Sequence, residues 1–507
     1  MKLRSWPAAI AAALALLVPL MPFTPANAVP SCFGKRPTIV GTPDDDEIKG
    51  TRGRDVIYTD GGNDVIRAGG GNDLVCPGAG EDEVYGEGGN DKLDAGPSSG
   101  PTELCGGRGD DLLFDDPHND DSQTMFGGPG NDTLKAGDNN GTDTDTLDGG
   151  PGDDVMEQGQ SHSIFIAGPG NDVMRAGETG GTDDYDLLDY SAMETGISVD
   201  LEVGRGGEPA NNETDRLEGF ENVIGTPFDD TIVGDDDVNY ILGGDGSDRI
   251  EGRGGDDCLY GAFNNHLSCF SPPNTTVGGD DVIHGDDGDD LMLGADGDDD
   301  YVGGAGNDIV SFSASPAPVH VDLSTFSANG EGNDSLTEIE GVYGSKHTDE
   351  IVGDERANVL DGGSGEGDAV SGMAGDDTLT DFGGDGTVDG GDGSDTISYN
   401  TNFGRPPVDD VVVVNLQSGT DSEANQLVDL ENVQGALYNP NRITGDDGPN
   451  ELSGGFHRDQ VDGGAGDDTV RGSRGNDDLD GGPGADTIDG GPGKDSCING
   501  EHVSYCE

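Results

Sequence analysis

Six aspartates between Gly41 and Asp94 stand nine residues apart: Asp46, Asp55, Asp64, Asp73, Asp82 and Asp91. Carboxylate oxygens are hard donors, and together with backbone carbonyls they suit Ca²⁺. The same arrangement returns along the chain, at Asp111, Asp132, Asp145, Asp154 and Asp172, then at Asp230, Asp248 and Asp257. It continues at Asp281, Asp290, Asp299 and Asp308, at Asp368, Asp377 and Asp395, and at Asp459, Asp468, Asp477, Asp486 and Asp495. These aspartates are the candidate metal ligands. No Cys/His cluster with soft-metal spacing competes with them, and acid pairs are too common for any one to stand out as general acid and base.

The elements that hold these carboxylates follow from what lies between them. Two places after each of the first six comes one aliphatic residue: Ile48, Ile57, Ile66, Val75, Val84 and Leu93. One aliphatic residue every nine gives a helix no continuous stripe. Three residues such as Val65-Ile66-Arg67 suit a very short strand with its middle side chain inward. The remaining six positions turn the chain, and glycine serves there because turns need positive φ and close backbone approach. Two nonapeptides then make one coil: strand, turn, strand, turn. A fixed short period of this kind marks a solenoid. Residues eighteen apart, such as Asp46 and Asp64, stack at about 4.8 Å. Bare carboxylates at that spacing repel by roughly 1–4 kcal/mol per pair, so a long ladder of them requires cations.

These residues resemble the RTX (hemolysin-type) calcium-binding nonapeptide family, Gly-Gly-x-Gly-x-Asp-x-U-x with U a large aliphatic. The motif stands clearly at Gly106-Gly107-Arg108-Gly109-Asp110-Asp111-Leu112-Leu113 and at Gly303-Gly304-Ala305-Gly306-Asn307-Asp308-Ile309-Val310. It stands again at Gly481-Gly482-Pro483-Gly484-Ala485-Asp486-Thr487-Ile488. The resemblance spans about Gly41 to Cys497. It implies an all-β fold, a parallel β-roll (β-solenoid), with several Ca²⁺ ions held in the turns by the motif aspartates and glycine-region carbonyls.

Composition points the same way. The net charge of −80 argues against nucleic acid or an anionic membrane as the main partner. Hydrophobic residues make up 31% and aromatics 5%, too little for an ordinary globular core of this length.

In chain order, residues 1–28 read as a secretory signal, with Lys2 and Arg4, an apolar run from Ala8 to Leu20, and Ala26-Asn27-Ala28 as the cleavage site. Residues 29–40 form an N-terminal cap and 41–180 a first roll. Segments 181–307, 308–394 and 395–496 each open on longer, alternating strands and then resume nonapeptides. Each also repeats a further alternating segment: Phe220-Glu221-Asn222-Val223-Ile224-Gly225, Ile339-Glu340-Gly341-Val342-Tyr343-Gly344 and Leu430-Glu431-Asn432-Val433-Gln434-Gly435. The strands are expected to form wider coils or seams, with Tyr190, Phe312 and Tyr399 filling the wider core. Residues 497–507 read as a closing cap. Ser163 sits in an Asp slot and is expected to bind no metal. Asn239, Asn358 and Asn450 also occupy Asp slots and are expected to give weaker sites, while Gly386 offers only backbone.

Seven cysteines in an exported chain point to disulfides. Cys497–Cys506 and Cys258–Cys269 are expected, Cys76 pairs with either Cys32 or Cys105, and one thiol is left over. Gly96-Pro97-Ser98-Ser99-Gly100 spells a hydrolase string but lies in a loop rather than a strand-to-helix elbow. Arg108-Gly109-Asp110 spells an adhesion tripeptide inside a nonapeptide. The expected function is that of a secreted calcium-binding module that folds on Ca²⁺ outside the cell, without catalysis or membrane insertion. A cell-surface adhesin or matrix protein is the alternative, followed by a toxin or hydrolase of the RTX type.

Overall fold

Three-residue strands with the central side chain inward recur throughout the computed structural model. It describes residues 31–97, 100–115, 121–137, 144–159, 162–177, 186–262, 278–381, 384–400 and 411–506. In Val65–Arg67 the side chains run half-buried, buried, exposed, and in Thr133–Lys135 the same order holds. Strands alternate between two parallel sheets, so the chain crosses from one to the other at each turn. The register advances by a whole coil: Ile57 faces Val75, and Leu134 faces Met156, which faces Met174. A single apolar core runs from Ile48 to Ile488, so the rolls are stretches of one solenoid.

The sheets are unequal. Among the described residues one holds 28 strands and the other 22. The excess comes from three antiparallel meanders in the larger sheet. The first is Ser198–Asp200, Arg205–Gly206 and Asp215–Glu218. The others begin at His320–Asp322 and at Val412–Asn415. At the first meander Val173–Arg175 pairs with Asp215–Glu218, and Ser198–Asp200 pairs with Thr231–Val233. Meanwhile the smaller sheet proceeds without interruption from Leu187–Asp189 to Asn222–Ile224.

The expectation of longer strands here is therefore corrected. Ser198–Asp200 and His320–Asp322 have three residues each, and the seams are widened by hairpins instead. In each of the three segments the middle strand (Ser198–Asp200, His320–Asp322 or Val412–Asn415) opens a hairpin, and the strands on either side stay short and pair in parallel. The enlarged cross-section is filled by Tyr190, Phe312 and Tyr399, all buried. The Tyr190 hydroxyl donates to Asp215 Oδ2 at 2.8 Å, and that of Tyr399 to Asp421 Oδ2 at 2.6 Å.

Cys32 and Cys76 form a disulfide that fastens the N-terminal cap, and Cys497–Cys506 closes the last coil. Cys105 is free, so the Cys76–Cys105 alternative does not form. The Cys258–Cys269 pairing falls on Cys269, outside the described residues. So do the secretory signal and Ser98-Ser99 of the hydrolase string. Ser496–Ile498 spans the start of the expected closing cap and pairs in parallel with Asp478–Asp480. Among the described residues no helix is long and apolar enough to cross a membrane.

Candidate metal ladder

Each strand begins just after its motif aspartate, which places the carboxylate at the sheet edge, one coil above the next. In most coils the backbone N–H of the aspartate donates to Oδ1 of the aspartate one coil on. Asp64 donates to Asp82 at 2.8 Å, Asp132 to Asp154 at 2.6 Å, Asp154 to Asp172 at 2.8 Å, and Asp477 to Asp495 at 2.9 Å. These bonds fix the carboxylate plane and leave Oδ2 pointing into the turn.

Oδ2 is buried and without a hydrogen-bond partner at Asp64, Asp73, Asp82, Asp91, Asp111, Asp132, Asp154 and Asp172. The same holds at Asp248, Asp257, Asp281, Asp290, Asp308, Asp368, Asp377, Asp395, Asp468, Asp477, Asp486 and Asp495. Leaving a buried carboxylate oxygen unsatisfied costs several kcal/mol, so a regular series of them calls for a compensating charge. Burial, and secondarily the neighbouring ladder carboxylates, push Asp172, Asp257 and Asp281 up to about 8 and Asp248 up to about 9.

The donor set fits a hard cation. An alanine Cβ at Gly127 would lie 2.6 Å from both Asp132 Oδ2 and the Gly149 carbonyl oxygen, so a carboxylate and a carbonyl oxygen crowd the same glycine and only a residue without a side chain fits there. Among the described residues no three His, Cys, Asp or Glu side chains converge on one point. Each turn therefore offers one carboxylate and the carbonyls around it.

Six candidate aspartates differ, with Oδ2 engaged by the protein. Asp46, Asp55 and Asp230 accept from the N–H of Thr42, Thr51 and Thr226, and Asp459 accepts from that of Gly455. Asp145 accepts from Gln158 and Asp299 from the Tyr301 hydroxyl. The asparagine slots differ too: Oδ1 of Asn239, Asn358 and Asn450 accepts the N–H of Asp235, Asp354 and Asp446 in the same turn. Ser163 donates its N–H to Asp186 Oδ1, and Gly386 donates to Asn425 Oδ1.

Sequence reasoning missed the residues that end each ladder. Asp172 donates to Asp215 and Asp299 to Asp334, both in the meanders. Asp308, Asp395 and Asp486 donate to the side chains of Glu340, Glu431 and Glu501. The recurrence of an apolar residue followed by Glu at 339–340 and 430–431 was the available signal, but it read only as strand.

The architecture and the ladder define a parallel β-roll with a row of buried, unsatisfied carboxylate oxygens along its turns. The model of the RTX calcium-binding nonapeptide repeat matches residues 40–75, 78–98, 104–134, 119–156, 217–249, 224–257, 233–265, 275–310, 343–366, 363–397, 439–470 and 462–497, more than half the chain. The chain belongs to that family and is a calcium-binding structural repeat protein. No curated protein matches it.

Proposed function

We propose that this is an exported protein whose coils become ordered when Ca²⁺ binds outside the cell, and that it serves as a structural or interaction module rather than a catalyst. The supporting observation is the in-register row of buried Oδ2 atoms that no protein group satisfies. Bound Ca²⁺ would supply positive charge to those oxygens and cancel their mutual repulsion. The chain's own part is orientation: the backbone N–H groups hold Oδ1, and the glycine carbonyls face the carboxylate from the adjacent coil. Because ions bind the folded form far better than the unfolded one, their binding free energy stabilises the fold. Extracellular calcium modules commonly bind at about 10⁻⁴–10⁻³ M, which would leave the chain loose in the cytoplasm. The proposed secretory signal at residues 1–28 fits that route.

The test is far-UV circular dichroism during a Ca²⁺ titration with Mg²⁺ as control. A cooperative gain of β signal specific to Ca²⁺ is expected. Full β structure in chelator at pH 8, or none at millimolar Ca²⁺, would overturn the reading.

A further inference from the structure

We infer that the residue four places before the motif acid decides whether a turn takes an ion, and that each roll is founded on ion-independent turns of the second kind. The inference rests on the calcium reading above.

In most turns with an unpartnered Oδ2 the residue four back has positive φ, the exceptions among the described motif turns being Asp60, Gly168 and Ser364 before Asp64, Asp172 and Asp368. The positive φ falls at Gly107 (103°) before Asp111, Gly128 (94°) before Asp132 and Gly464 (95°) before Asp468. Non-glycine residues hold the same conformation at Glu87 (69°), Arg253 (78°), Asp286 (73°), Met373 (75°) and Ser473 (71°). Left-handed backbone is costly for such side chains, so its repetition at one turn position is a constraint and not an accident. The conformation turns the N–H away from the carboxylate: Gly107 and Gly128 donate instead to the carbonyls of Gly127 and Gly149, at 2.9 and 3.1 Å.

A second kind of turn lacks the positive φ, and its N–H goes to the acid. Thr226 donates to Asp230 at 2.6 Å and Ser345 to Asp349 at 2.6 Å. Both hydroxyls add a bond of 2.9 Å. Thr42 and Thr51 do the same for Asp46 and Asp55. Asp235, Asp354 and Asp446 close on Asn239, Asn358 and Asn450, which carry no charge to neutralise.

Their placement is regular. Closed turns occupy both edges of the first coil at the start of the chain (Asp46, Asp55), after the first meander (Asp230, Asn239) and after the second (Asp349, Asn358). After the third meander, Asn441 accepts from the Ala436 N–H, five places back, Asn450 from that of Asp446, and the closed turns run one turn further to Asp459, which accepts from Gly455. The three later closed coils each follow a meander; at the first meander Phe165 and Phe220 pack edge to face with rings 4.9 Å apart. A meander with its closed coil thus has apolar burial and satisfied turns without any ion, and open turns stack on it.

The experiment compares Asp154→Asn with Asp230→Asn in the full chain by native mass spectrometry in Ca²⁺. Hydrogen exchange of the unmodified chain in chelator accompanies it, so that a misfolded variant still leaves a readout. The expected result is that D154N loses about one ion while D230N keeps the full count. In chelator, the Thr226 and Ser345 amides should exchange at least tenfold more slowly than those of Gly107 and Gly128. Loss of an ion in D230N, or equal exchange at the two kinds of turn, would overturn the inference. Full ion counts in both variants would instead overturn the calcium reading, and this inference with it.

Discussion

If calcium neutralises the buried carboxylates, protons should do so too. The perturbation is a shift from pH 8 to pH 5.5 with all divalent ions removed. Asp172, Asp257 and Asp281, each about 1% exposed, are pushed up to about 8, and Asp248 to about 9, chiefly by burial. In the unfolded chain each returns to about 3.9. A raised carboxyl in the folded state means that the folded form holds protons the unfolded form has lost. The resulting stability is whole below about pH 4 and drains away as pH rises through the folded values of about 8 to 9. Between pH 5.5 and 8 each of these four groups costs the metal-free fold about 3 kcal/mol. Together they cost on the order of 10 kcal/mol, comparable to the whole stability of a domain at ~5–15 kcal/mol. Circular dichroism in metal-free buffer should show a β signal at pH 5.5 that is lost by pH 8 and restored there by Ca²⁺. A pH-stat should record proton release when Ca²⁺ is added near pH 6. A metal-free chain equally folded at both pH values would refute the reasoning, as would one equally unfolded at both.

Three further outcomes can be checked separately. Phe165→Ala empties a fully buried site against Phe220 and should cost about 3–5 kcal/mol in calcium, read from the denaturant midpoint. Tyr190→Phe removes the hydroxyl that donates to Asp215 Oδ2 and should lower stability by about 1–3 kcal/mol, whereas Tyr438→Phe, at an exposed ring, should change it by less than about 0.5 kcal/mol. The Cys105 thiol, pushed up to about 12 by burial and then by Glu103, should alkylate slowly in the calcium-loaded chain at pH 8 and quickly once the chain is unfolded.

The nine-residue period exposed most of this architecture, because strand, turn and ligand are all encoded within one nonapeptide. Val65-Ile66-Arg67 needed no distant partner to be read as a strand. The meanders were less legible. Asp215 completes the ladder of Asp172 across 43 residues, and Asp308 reaches Glu340 across 32, so neither pairing follows from the nine-residue spacing. The closed turns lay between these cases. Thr42, Thr51 and Thr226 are visible after their glycines, yet they weigh as ligand-neighbouring residues until the N–H directions are known. Cys76 had two partners at plausible spacing, and only the folded cap brings Cys32 to it rather than Cys105.

The central claim is that ions sit on the second oxygen of the ladder carboxylates. A crystal grown in Ca²⁺ and measured by anomalous scattering tests it most directly. The account predicts peaks within about 2.3–2.6 Å of Oδ2 in turns such as those of Asp132, Asp154 and Asp468, repeated from coil to coil. A folded roll with no anomalous density beside those oxygens would contradict it.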